Sequence, residues 1–119
     1  MSLKVWLPLN GDLTQQGTSN IIVIGTNVTT NTSGKIGSCY SFSGDSYLKL
    51  DTAPFNNNTT EFSYACWIKF NNTNTACLFS NRAANNYLGY SIFINSSENK
   101  ILFDAGNERW STTYAITTN

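Results

Sequence analysis

Apolar and polar residues alternate along much of this chain, and Gly, Asn, Asp and Ser break the alternation at short intervals. A period of two marks strands with one buried face. Val5, Leu7 and Leu9 alternate with Trp6 and Pro8, and the segment stops at Asn10-Gly11-Asp12. Pro8 has no backbone N–H to donate, which suits an edge or terminal strand. Residues 21–24, Ile-Ile-Val-Ile, read as a short buried strand. Gly34-Lys35-Ile36-Gly37 forms a turn, after which Tyr40 and Phe42 fall on one face and Ser41 on the other. Ser43-Gly44-Asp45-Ser46 turns the chain again and predicts a hairpin into Tyr47, Leu48 and Leu50.

The clearest predicted strand covers residues 62–70. One face carries Phe62, Tyr64, Cys66, Ile68 and Phe70, the other Ser63, Ala65, Trp67 and Lys69. Asn/Thr-rich loops at 56–60 and 71–75 flank it. Further strands are expected over 77–80, 88–95, 101–104 and 110–116. About ten short strands at roughly ten-residue spacing point to a sandwich or barrel, not to alternating strands and helices. There is no repeat of fixed period and no linker, so residues 1–119 are expected to form one domain.

Composition strengthens this reading. The chain has 17 Asn, 15 Thr and 13 Ser, over a third of its 119 residues. These side chains hydrogen-bond to nearby backbone and so disfavour helix interiors, while Thr suits strands and Asn and Ser suit turns. Apolar residues make up 40% and aromatics 13%, too much for a disordered chain. The longest apolar run is four residues, far short of a bilayer span. Met1-Ser2-Leu3-Lys4 leads straight into an amphipathic segment, so no signal peptide is expected. Seven basic residues balance seven acidic ones and are scattered singly, which removes the electrostatic basis for nucleic acid or acidic membranes. No glycine-rich phosphate loop is present.

Three cysteines, Cys39, Cys66 and Cys77, leave at least one thiol unpaired, and there is neither a CxxC pair nor a histidine. That excludes the usual zinc ligand sets and reads as core thiols in a reducing compartment, with Cys66 as a small buried hydrophobe. The N-x-[ST] sequences at Asn27, Asn31, Asn57, Asn58, Asn71 and Asn95 follow from the abundance of Asn and Thr.

The order of segments resembles a known family. Residues 5–13 (VWLPLNGDL), 34–44 (GKIGSCYSFSG) with Tyr47-Leu48, 61–69 (EFSYACWIK), 78–80 (LFS), and 92–94 with 100–103 (IFI, KILF) follow one another. They resemble, in that order, the laminin-G-like, concanavalin A-like lectin-glucanase domains. The nearest version is the one found in bacteriophage tail, fibre and virion proteins and in gut bacterial surface proteins. The resemblance implies an antiparallel jelly-roll β-sandwich and a location in the virion, or in the bacterial cytoplasm during assembly. Relatives usually continue with a W-x-H-V segment and further strands, whereas this sequence stops at Thr117-Thr118-Asn119. The fold is therefore expected to be completed by a homo-oligomer, by a strand-donating partner or by further sequence of a longer protein, in preference to folding alone as a smaller sandwich, because exposed sheet edges template pairing.

The resemblance also extends to glycosidases and to calcium-binding pentraxins. The acids are Asp12, Asp45, Asp51, Glu61, Glu98, Asp104 and Glu108; none stand at i, i+2, and the glucanase E-x-D-x-x-E arrangement is absent. Without histidine the ordinary Ser or Cys triads are missing too, so no enzyme is expected. Asn85 and Asn86 occupy the place of a pentraxin Asp-Asn calcium pair but supply no carboxylate, so at most weakly bound calcium and no other cofactor is expected. Sugars need an aromatic face beside amide or charged hydrogen-bonders. Two loop groups offer this combination: Tyr87 with Arg82, Asn85 and Asn86, and Trp110 with Asn107, Glu108 and Arg109. Trp6 and Trp67 read as structural, with Trp67 packing between sheets or against a neighbouring chain. The expected function is a non-catalytic virion structural or adhesion module binding a glycan or another virion or surface protein. A purely architectural oligomerising subunit, or a fragment of a glycoside hydrolase, are the alternatives.

Overall fold

The computed structural model describes residues 3–54, 61–82 and 88–118. Among them there is no helix, and all eight strands pair antiparallel. The chain divides into two compact units, residues 1–54 and 55–119.

The first unit holds β1 (Val23–Thr26), β2 (Thr29–Asn31), β3 (Cys39–Ser41) and β4 (Tyr47–Leu50). β1 pairs with β4 and β2 with β3, so the chain from 23 to 50 is one long hairpin, interrupted in the middle. The predicted β3–β4 hairpin is absent for a local reason. Ser43-Gly44-Asp45-Ser46 does turn, with Ser46 N–H donating to Ser43 O at 3.2 Å, but the turn lies inside the interruption. There the Ser46 hydroxyl reaches Asn27 O at 2.7 Å and ties the two arms together. Beyond β1, Ile22 and Asp51 extend the ladder: Asp51 N–H donates to Ile22 O, and Ile22 N–H to Asp51 Oδ1. The apolar run 21–24 is covered on one side only, because Ile21 is buried while Ile22 and Ile24 are exposed.

Residues 5–9 are not a regular strand. Lys4 O and Trp6 O accept from Ser19 N–H and Gln16 N–H, then the chain leaves this pairing at Leu9, whose φ is +54°. The two backbones meet closely at Gly17, where a Cβ would stand 2.4 Å from Lys4 O.

The second unit is built on a four-stranded sheet in the order β5 (Ala76–Ser80), β6 (Tyr90–Asn95), β7 (Lys100–Ala105), β8 (Glu108–Ser111). Gly106 and Asn107 join β7 to β8. Gly106 has φ +59°, as a two-residue hairpin turn with glycine first requires. Three rows cross the sheet in register: Ser91–Asp104–Arg109, Ile92–Phe103–Trp110 and Phe93–Leu102–Ser111. The first and third rows share one face and the middle row occupies the other. Leu102 and Ile94, on opposite faces, are both buried.

Residues 61–70 form no strand despite their alternation. Phe62 instead lays its ring 4.6 Å from that of Tyr90, and Tyr64 stands 5.3 Å from Phe79 with its hydroxyl donating to Leu78 O at 3.4 Å. Among the described residues the segment is joined to the sheet by these rings and by no backbone ladder. Its other face is exposed: Trp67 is 75% accessible, and so is not packed between sheets in this chain. Cys66 is exposed as well, contrary to its expected burial.

Candidate functional site at the β7–β8 hairpin

Asp104 is 4% exposed, yet it carries a charge. Burial of a carboxylate is tolerable only when it is paired and hydrogen-bonded. β8 supplies Arg109, directly opposite, whose Nε donates to Oδ1 at 2.7 Å and whose NH2 donates to Oδ2 at 3.0 Å. Arg82, just beyond β5, donates from NH1 to Oδ2 at 2.9 Å and from NH2 to Gly106 O at 3.1 Å. The hydrogen bond from Arg109 is the main cause holding the Asp104 carboxyl below its usual range, opposed by burial and helped by the charges of both arginines. Arg109 also lies 5.3 Å from the centre of the Phe93 ring. One face of the hairpin is thereby fixed by an Arg–Asp–Arg clamp. Asn81 continues the β5–β6 pairing, with Oδ1 accepting from Tyr90 N–H at 2.7 Å. Its Nδ2 is buried with no hydrogen-bond partner among the described residues.

The opposite face carries aromatics. Tyr90 and Phe103 stack at 6.2 Å with planes 6° apart, and Phe103 stacks on Trp110 at 5.5 Å. Trp110 ends the row on the edge strand and remains 52% exposed. Its indole is thus backed by the Phe103 ring and about half open to water. Asn107 is exposed on the adjoining turn, and Glu108 is exposed at the start of β8.

Of the residues singled out from sequence, Trp110 and Asn107 lie on the same hairpin. Arg82 belongs to the Asp104 clamp on the other face and is not brought to Trp110. Asn85, Asn86 and Tyr87 lie outside the described residues. The one acid pair worth testing from spacing, Asp104 and Glu108, points to opposite faces of the hairpin, because Glu108 pairs with Ala105. An ionised, doubly paired Asp104 is in the wrong state to act as a general acid. For calcium, residues 81–87 offer only neutral oxygens, and among the described residues no three acid or thiol groups converge. Calcium takes several oxygens, usually with carboxylates among them, and residues 81–87 supply no carboxylate in sequence.

Sequence reading missed the clamp. Its β8 half was recoverable: a two-residue Gly106-Asn107 turn makes 105 face 108, and therefore 104 face 109. Arg82 approaches from another strand, and no local spacing announces it.

No family model, curated protein or solved structure matches the chain. Among the described residues no helix is long and apolar enough to cross a membrane.

Proposed function

We propose that this chain is a non-catalytic structural or adhesion module of a virion, with a laminin-G-like jelly-roll sandwich and a working surface formed by β8 and the β7–β8 turn. The observation that carries this is Trp110. A large indole on an edge strand is stacked on Phe103 and still half open to water. Such rigid aromatic surfaces suit recognition. The virion assignment rests on the segment resemblance described above.

Two ligand classes fit the surface. A sugar ring would lie on the indole face, with the Asn107 amide and the Glu108 carboxylate taking its hydroxyls. The architectural reading is favoured by a separate observation, the outer edge of β8, which no strand pairs among the described residues and where another can add. The test compares wild type with Trp110→Ala against immobilised glycans and against the other proteins of the assembly, with circular dichroism as the folding control. Binding that falls about tenfold or more in the folded variant supports a surface at Trp110. Binding that is unchanged moves the surface elsewhere.

A further inference from the structure

The hydrogen-bond phase of β8 is set by its neighbour. Thr112 N–H donates to Ile101 O at 2.9 Å, which places the backbone groups of Thr112 toward β7. In an antiparallel ladder those groups alternate in direction, so Trp110 and Glu108 also bond inward. Arg109 and Ser111 therefore direct their N–H and C=O away from the sheet, and among the described residues these backbone groups make no bond. All four β8 side chains are exposed. The result is a short edge with two donors and two acceptors at i, i+2 spacing and a tryptophan between them.

We infer that this edge pairs with a second copy of the same chain, antiparallel about a two-fold axis at Trp110. The inference rests on the reading of β8 as the working surface and names the partner of that surface. Two-fold pairing edge to edge keeps like faces together, so the axis must pass through one residue and not between two. Three centres are available on 109–111. An axis at Arg109 sets two guanidinium side chains directly opposite each other, which is destabilising. An axis at Ser111 leaves Trp110 opposite Thr112 and runs past the end of β8. An axis at Trp110 uses every outward group: Arg109 of each copy exchanges both backbone bonds with Ser111 of the other, making four new hydrogen bonds. The two indoles then form a non-hydrogen-bonded pair, the closer of the two side-chain geometries. The row Ile92–Phe103–Trp110 runs on into its own mirror sequence in the partner. On the other face Arg109 keeps Asp104 as its ion-pair partner and meets a neutral serine across the axis.

Sedimentation velocity of the full chain from about 1 µM to 1 mM decides the matter, since an interface of this kind without a large apolar area belongs to the weak class. Wild type is expected to shift from monomer to dimer over that range. Trp110→Ala and Ser111→Pro should each weaken the dimer about tenfold or more. Ser111→Pro removes only an outward N–H, so it leaves the β7–β8 ladder intact and serves if the alanine variant misfolds. A wild type that stays monomeric at 1 mM overturns the inference, as does a dimer unaffected by the folded variants. A monomer that still binds glycan through Trp110 overturns the second copy alone. One that binds no partner at β8 overturns the functional reading with it.

Discussion

Asp104 shows how one residue couples local sequence to stability. Its folded pKa is depressed, so its ion pairs contribute fully above the unfolded carboxylate value of about 3.9 and are lost as pH falls through the lower folded value. Thermal stability of the wild type should therefore hold near neutral pH and decline in acid below about pH 4. In Asp104→Asn that acid limb should flatten and the melting temperature at pH 7 should fall, chiefly because the largely buried Arg82 guanidinium loses its anion while Arg109 is exposed to water. A melting temperature unchanged by the substitution at pH 7 would contradict the clamp. Gly17 makes a second, purely steric prediction. A methyl group there meets the carbonyl of Lys4 at 2.4 Å with only backbone around it, so Gly17→Ala should destabilise the first unit. The readout is loss of amide protection at Gln16 and Ser19, whose N–H groups make the neighbouring bonds.

At the scale of elements, alternation alone did not decide which segments form ladders. Residues 101–104 and 77–80 read as strands and are strands, because each alternating run there lies between two partners in the sheet or against one. Residues 62–70 alternate more cleanly than either, yet their apolar side engages the sheet through Phe62 and Tyr64. A periodic pattern does not record where N–H and C=O groups go, nor does it ensure burial, since Tyr64, Cys66 and Ile68 on the apolar side are exposed. β2 carries the converse lesson, since Thr-Thr-Asn has no apolar alternation and is fixed by pairing with β3. The aromatic row also makes a prediction. Phe103 touches Phe62, Tyr90 and Trp110, so Phe103→Ala should cost about 3 kcal/mol and release all three rings. Phe62→Ala should leave the sheet folded and open residues 61–70 to protease. Equal loss of the sheet in both variants would contradict that separation.

Across the whole molecule, the all-β character was legible from Asn, Thr and Ser content and from turn spacing, and the candidate Trp110 from its place beside a Gly-Asn turn. The partition into two units was not, since no linker separates them. Nor was the balance between buried and exposed apolar residues. Among the described residues Ile21, Ile94 and Leu102 are the buried apolar side chains, while Trp6, Ile22, Ile36, Trp67, Trp110 and Tyr114 are all more than half exposed. Covering a large apolar side chain yields roughly 1.5–3 kcal/mol. Covering that surface is what the proposed association would do, and β8 is one edge whose backbone has outward groups among the described residues.

Residue-resolved amide exchange on the wild type tests that claim most directly. Glu108 and Trp110 bond inward and should exchange slowly at every concentration. Arg109 and Ser111 should exchange fast in dilute solution and slow markedly as the chain is concentrated or its partner added. If association leaves Arg109 and Ser111 exchanging as fast as in dilute solution while amides elsewhere become protected, the working surface is not β8.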